Sequence, residues 1–596
     1  MDQEPRADRL VVRLRRHVRH ESLAAPLLGL LLLTVCLVSP RGDFPLNDDW
    51  VYAKEAQHLL SEGRYAGHPF AAANAAAQTF WGAAFCAPFG FSFTALRLST
   101  LTAAFLAAWA TARCIREMGA SRGWAMLGGA TLLANPLFLN LSYTFMTDVP
   151  FIAASALSGL FYLRALRRDT VRDVLLGSLF AALAFWVRQF GVVMSAAFAA
   201  AVLWRLASHG PRVRLSRVLA FVLPWIACGG ALLLQRLAGT PSYPWTVLWA
   251  GVPAFIRAIL AFRFAFVALA YFGLFLLPLT LPRLMPWTGA REDWVRPRRR
   301  TFVVAAVAIS GIACGFVVLR MPLLPNMLYD LGVGPFTLRD AYLLQAGSAP
   351  ASIGAWWWIP TLAAIASGAL LVTDLRRHTL PSIRGRAGVP DRPGPEPSQA
   401  VFLLVWATLM AAAPYNPYLP VTFDRYLLPA VPPLCALAVQ IPSHRGGRSA
   451  RACAALGVLL LWVFSTACLQ DYMAWNRARW AAVDALITEH GVDPLRIDGG
   501  FEYNGWCTSD AFMERHGTTD FNQAGELGWW ILDDTYAVSL LPREGYAEID
   551  RVAYFSWLGM ARRELRMLER MPSSEPAEGS DVPVPVGEAV DLRSGQ

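Results

Sequence analysis

Of the 53 Lys and Arg residues in this 596-residue chain, lysine contributes one, Lys54. So strong an arginine bias points to a GC-rich bacterial genome. Charge of either sign is scarce: 16% of residues are charged, where soluble domains carry about 25%. That deficit argues against a string of soluble domains, and it leaves no basic soluble face for nucleic acid. The nine cysteines contain no C-x-x-C pair, so neither a zinc site nor a disulfide framework is readable. No P-loop, G-x-S-x-G or H-E-x-x-H motif occurs, which removes the usual signatures of nucleotide, serine-hydrolase and zinc-protease chemistry.

What the chain has instead is apolar length: 55% of its residues are hydrophobic. Stretches able to cross about 30 Å of hydrocarbon are expected at 23–40, 93–112, 124–140, 149–166, 173–187, 190–204, 218–236, 262–282, 301–320, 355–373, 399–413, 426–441 and 452–469. The first follows a basic N-terminus with no small-residue cleavage site, so it reads as a retained span rather than a signal peptide. Arginine crowds one alternate set of loops, around 164–172, 205–217, 283–300 and 376–392, and is sparse in the other set. By the positive-inside rule the N-terminus is cytoplasmic and the sparse loops face outward. The fold expected is an all-α polytopic membrane protein of about thirteen spans with a small C-terminal α/β domain outside.

The expected organisation is a basic cytoplasmic N-terminus at 1–20 and a multi-span domain at 21–470 with long outer loops at 41–92 and 321–354. An outer α/β domain at 471–572 and a disordered tail at 573–596 follow. In that domain ALITEHG reads as a helix; PLRIDGGF, YAVSLL and YAEIDRVAYFSW read as strands, and FEYNGW as a turn at a strand end. In the first outer loop NDDWVYAKEAQHLLSEGR reads as a helix with Trp50, Ala53, Ala56, Leu59 and Leu60 on one side. That pattern suits a helix lying in the membrane interface.

The residues able to carry chemistry sit on the outward side. Asp48 and Asp49 are adjacent carboxylates at the membrane surface, where charge is costly and seldom idle; either could also cap the helix that follows. Asp148 lies between the third and fourth spans on the same side. It could be a helix cap beside Pro150, but with Asp48 it suggests a shared acidic site. Arg188 and Arg425 are arginines on the disfavoured side and could bind phosphate; Arg236 and Arg320 could instead snorkel to headgroups. Tyr52, Tyr65, His68 and Tyr426 are candidate substrate contacts or packing residues.

Taken in order, the DDW after the first span, the His68-Pro69 step, NPLFLNLSYTFMTDVPF, LAFWVRQFG and FDRYLLPAVP resemble the large multi-span glycosyltransferases of the GT-C fold. The nearest branch is the dolichyl-phosphate-mannose–protein mannosyltransferase-like group, which includes bacterial aminoarabinose transferases, and the resemblance covers about residues 20–440. It implies an inverting transfer of a sugar from a polyprenyl-phosphate donor to an acceptor hydroxyl, at the periplasmic face of a bacterial inner membrane. It also implies Asp48 as general base and Asp49 and Asp148 as supporting or cation-related acids; Arg425 and Arg188, at the outer edge, suit the donor phosphate of such a reaction. The acceptor is a lipid, protein or polysaccharide, and a divalent cation, Mg2+ or Mn2+, has a place in such a scheme. Many relatives have Lys-Pro-Pro or His-Pro-Pro where this chain has His68-Pro69-Phe70, so the phosphate-binding lysine of that motif is not assured here. Two other classes compete. A transporter or flippase should show repeats and broken spans in two halves, and none is visible; a scaffold with an outer partner-binding domain would not need acids in two separate outer loops.

Overall fold

The computed structural model describes residues 23–71, 73–210, 214–237, 254–285, 324, 358–383, 396–415, 423–445, 447–518, 525 and 527–572. These are mostly helical, with one small sheet near the C-terminus. In chain order the main helices are α1 (Ala24–Leu37), α2 (Asp49–Glu62), α3 (Ala76–Cys86), α4 (Phe93–Glu117), α5 (Arg122–Leu133), α6 (Pro136–Leu141), α7 (Asp148–Arg168) and α8 (Val171–Val187). They continue with α9 (Val192–His209), α10 (Leu215–Leu237), α11 (Ala254–Phe275), α12 (Leu277–Leu284), α13 (Trp358–Asp374), α14 (Pro397–Ala412), α15 (Val431–Arg445), α16 (Arg448–Thr488) and α17 (Ser509–His516).

Among the described residues six helices are long and apolar enough to cross a membrane, or seven if the pair α11–α12, bent by 80°, is one span. Two shorter apolar helices, α1 and α14, accompany them. The chain is therefore a multi-pass membrane protein. Every expected stretch but 301–320 carries helix; 301–320 lies outside the described residues. Three stretches are not single helices, the one at 262–282 being divided between α11 and α12. The one at 124–140 breaks before Asn135, whose side chain accepts from the Leu137 and Phe138 N–H groups and caps α6. The one at 426–441 begins as a 3-10 turn, Asp424–Ala430, that runs into α15. The adjacent stretches at 173–187 and 190–204 are separate helices, α8 and α9, with Arg188 extended between them.

The boundary expected at 470 falls inside α16, a single helix of 41 residues that carries the last apolar stretch directly into the C-terminal domain. That domain's sheet has strand order β1-β2-β4-β3, with β1 at Ile497–Asp498, β2 at Tyr536–Ser539, β3 at Tyr546–Ser556 and β4 at Ala561–Arg570. β1 pairs parallel with β2, whereas β2–β4 and β3–β4 are antiparallel. β4, rich in Arg and Glu, carried no strand signal in the sequence; it forms because it is held between β2 and β3. The expected FEYNGW turn is instead a helical turn, Phe501–Tyr503, widening to a π-helical turn at Asn504–Thr508.

The reason for that helical segment is its packing on the first loop. A side chain at Gly505 would run into the Trp50 indole, so glycine permits the closest approach of the two segments. Trp50 is fully buried, stacked on Phe70 and edge-on to Trp530. Trp50, at the start of the apolar side of α2, is thus covered by the C-terminal domain and not open to a membrane interface as the periodicity suggested, whereas Leu59 and Leu60 stay partly exposed.

Candidate active site at one end of the helix bundle

Asp48 stands where the chain turns into α2. Asn47 adopts a left-handed conformation, φ 57°, its N–H donates to Glu502 Oε1 at 3.1 Å, and its own Oδ1 accepts from the Asp48 N–H at 2.9 Å. Asp48 occupies the cap position of α2, but its side chain makes no capping bond. The carboxylate turns away and accepts from Arg425 Nη2 at 3.1 Å. Asp48 keeps 30% side-chain exposure, whereas Arg425 keeps 4%.

Asp148 begins α7, close to the end of α8, and is fully buried. Its Oδ1 accepts from Arg188 Nη1 at 2.6 Å. The break between α8 and α9 presents Arg188 at that point, because its extended backbone (φ −148°, ψ 137°) takes it off the helix. Tyr426 lies between the two pairs: its ring centroid is 5.1 Å from the Arg188 guanidinium and 5.5 Å from that of Arg425. Tyr52, one turn along α2 from Asp48, is buried and lies in the fields of Arg188, Asp48 and Arg425; burial pushes its phenol well up. Asp48, Asp148, Arg188, Arg425, Tyr426 and Tyr52, drawn from four separate segments, therefore form one cluster.

The cluster is not saturated. Among the described residues the buried Nε and Nη1 of Arg425 and Oδ2 of Asp148 have no hydrogen-bond partner. Buried polar groups are nearly always paired, so orphaned guanidinium N–H groups beside a half-exposed carboxylate mark a place for an anionic or strongly polar ligand. Among the described residues no group of three or more His, Cys, Asp and Glu side chains is placed to hold a metal ion. Each acid of the cluster instead faces an arginine, so these residues do not fit a Mg2+ or Mn2+ site.

Asp49 belongs elsewhere. It is fully buried, and its two oxygens accept from the Leu46 N–H at 2.7 Å and the Phe145 N–H at 2.9 Å. It ties the loop carrying Asp48 to the loop carrying Asp148. Burial pushes its carboxyl up to about 7 against those bonds and the nearby Arg97. Arg97 in turn gathers the carbonyls of Pro40, Gly42 and Phe44. His68 packs edge-on against Trp50, and burial lowers it to about 4. The His68 backbone N–H donates to Glu55 Oε1 at 3.0 Å. Lys54 pairs with Asp510 of the C-terminal domain at 2.8 Å. Arg320 and the side chain of Arg236 lie outside the described residues.

Two acids were missed by sequence reasoning. Glu55 is buried, accepts from Thr79 Oγ1 at 2.9 Å and from Tyr65, and is pushed up to about 7 by burial. Glu502 is buried with Arg479 Nη1 at 2.6 Å and holds the Asn47 N–H. Glu55 carried no signal beyond its place on that helix, because its partners lie 13 and 24 residues on, and Glu502 had none, because its partners lie 455 and 23 residues away.

Fold and site thus define a multi-pass membrane protein with an acid–arginine cluster at one end of its helices. Residues 78–228 match the family described as dolichyl-phosphate-mannose-protein mannosyltransferase, and that stretch contains Asp148 and Arg188. The match bears out the resemblance over those residues. No curated protein sequence matches the chain. Among solved structures it is similar to ArnT from Cupriavidus metallidurans in the apo state, at 13% identity, TM-score 0.39, covering 91% of this chain and 97% of that one. It is similar to the same protein bound to undecaprenyl phosphate, at 14% identity, TM-score 0.39, with 93% and 98% covered. The apo oligosaccharyltransferase of Archaeoglobus fulgidus is similar at 13% identity, TM-score 0.44, with 78% of this chain and 58% of that one covered.

Proposed function

We propose that the chain is an inverting membrane glycosyltransferase that moves a sugar from a polyprenyl-phosphate donor to an acceptor hydroxyl on the extracytoplasmic side of a bacterial inner membrane. The observation that carries this reading is the convergence of Asp48–Arg425 and Asp148–Arg188 around Tyr426, with guanidinium N–H groups left over. The family match over residues 78–228 supports the same reading, and the arginine-poor loops on this side support the orientation.

In the proposed reaction the acceptor hydroxyl attacks the anomeric carbon. Its proton passes to Asp48, the more exposed of the two paired acids and so the one a substrate can reach. The bond from the anomeric carbon to the phosphate oxygen breaks, with inversion. The leaving group is already an acid anion, so it needs charge stabilisation rather than a proton, and Arg425 with Arg188 supplies it. Asp148 acts as a positioning residue, holding Arg188 through its buried contact. Asp49 and Glu502 hold the backbone that presents Asp48. A donor carried by a lipid suits a site at the end of membrane helices, because nucleotide sugars are cytoplasmic.

The test is a comparison of envelope glycans and glycolipids in cells with and without the gene. A sugar substituent absent from the deletion strain and restored by the wild-type gene is the expected result. Identical profiles, with a soluble solute accumulating across the membrane instead, would replace this reading with a transporter.

A further inference from the structure

The β3–β4 hairpin ends in a tip whose large apolar side chains are left open: Phe555 is 51% exposed, Trp557 37% and Met560 83%. Three such groups within six residues of a β-turn are not placed in water without a reason. The tip is nonetheless rigidly held. The Asp471 carboxylate accepts from Ser556 Oγ at 2.6 Å, from the Trp557 N–H at 2.5 Å and from the Leu558 N–H at 3.2 Å. The Ser556 Oγ also accepts from the Gly559 N–H at 2.9 Å.

The height of Asp471 on α16 says what covers the tip. α16 starts at Arg448 with Arg451 in its first turn, continues through exposed Leu456, Leu459, Leu460 and Val463, and reaches Asp471 twenty residues after Arg451. At about 1.5 Å per residue this is about 30 Å, the thickness of the hydrocarbon layer. A second helix agrees. Exposed Leu37 ends α1, and Arg477 reaches back to the Ser39 carbonyl just beyond it. Both helices therefore leave the apolar layer within about two turns of Asp471, where the hairpin is clamped. The side is the one that carries Asp48, because the same domain holds Asn47 through Glu502.

We propose that this hairpin tip inserts Phe555, Trp557 and Met560 into the interface of the bilayer leaflet on the Asp48 side, making the C-terminal domain a membrane-resting element and not one suspended in water. Trp suits this depth, with an apolar ring body and a polar N–H. Arg562 and Arg563, which follow on β4 and are exposed, suit the phosphate layer. The partner is phospholipid, recognised by apolar insertion and by its anionic headgroup plane.

The experiment places photoreactive p-benzoylphenylalanine at Phe555, at Met560 and, as control, at exposed Asp550, about 17 Å back along the strand from Phe555. Each full-length variant is purified, checked for a monodisperse elution profile, returned to phospholipid nanodiscs, irradiated and analysed by intact mass. The expected result is a phospholipid adduct at 555 and 560 at least five times more abundant than at 550. Adduct at 555 and 560 no greater than at 550 would overturn the proposal, as would crosslinking of the tip to a copurified protein in place of lipid. The use of Phe555, where the label differs from the native ring by a benzoyl group, keeps the test valid should the Met560 variant fold poorly.

Discussion

Asp48 and Asp49 are adjacent in the chain, yet they serve two regions built on opposite rules. Around Asp48 the charges are paired but not satisfied. One oxygen meets Arg425, the side chain stays partly open, and buried atoms of Arg425 and Asp148 wait for partners. Asp49 itself is closed: both oxygens hold backbone N–H groups from two loops, and Glu502 fixes Asn47 beside it. The difference teaches that the second carboxylate of the pair is the frame in which the first is displayed. A single peptide step, with Asn47 left-handed before it, sends the two side chains to different neighbours.

Substitution at the two positions should have opposite consequences. Asp48→Asn should lower sugar transfer by about 10²–10⁴-fold, the usual worth of a general base, with a thermal melt within a degree or two of wild type. An Asp48→Asn protein with full activity would move the base elsewhere. Asp49→Ala should do the reverse. It leaves two buried N–H groups unbonded at about 1–3 kcal/mol each, and its main effect should be a melting temperature lowered by several degrees, with activity lost only in proportion to the folded fraction. An unchanged melt with activity abolished would make Asp49 a member of the reacting group.

The smallest effect is in pH. Burial raises Asp49 and Glu55 to about 7 from ordinary values of 3.8 and 4.5. A raised carboxylic acid contributes stability that is complete below its unfolded value and is lost as pH climbs through the folded one. His68, lowered from 6.5 to about 4, works in the opposite sense, losing its contribution as pH falls through that range. Between about pH 6.5 and 8 the two carboxylates outweigh His68, whose opposite contribution is nearly complete by then. Hydrogen exchange over residues 46–71, corrected for intrinsic rates, should show protection falling across that window, and Glu55→Gln should flatten the slope. Protection that rises with pH would contradict the burial described here.

Much of the site was legible because its residues break a pattern. Arg188 and Arg425 were visible as arginines on the arginine-poor side, and Asp148 as an acid at a span edge; spatial convergence then followed from their shared end of the helices. The acidic pair was legible as a pair, but the division of labour was not, because it depends on Leu46 and Phe145 amides that no side-chain pattern announces. The helix at 49–62 was readable from its period, whereas the cover over Trp50 was not: the C-terminal segment that supplies it lies more than four hundred residues on. β4 and the helical FEYNGW segment were misread for a similar reason, since each takes its shape from a neighbour rather than from its own propensity. Glu502 lay in that misread segment.

The central claim is that the unsatisfied guanidinium groups beside Asp48 receive a lipid phosphate. Its most direct test is binding of undecaprenyl phosphate and of undecaprenol to the purified full-length protein, measured by native mass spectrometry for wild type, Arg425→Lys and Arg188→Lys. Wild type should prefer the phosphate form, and each lysine variant, with one point charge in place of a planar fork, should lose about tenfold or more of that preference, about 1.4 kcal/mol. Equal binding of the two lipids, or a preference untouched by both substitutions, would contradict it.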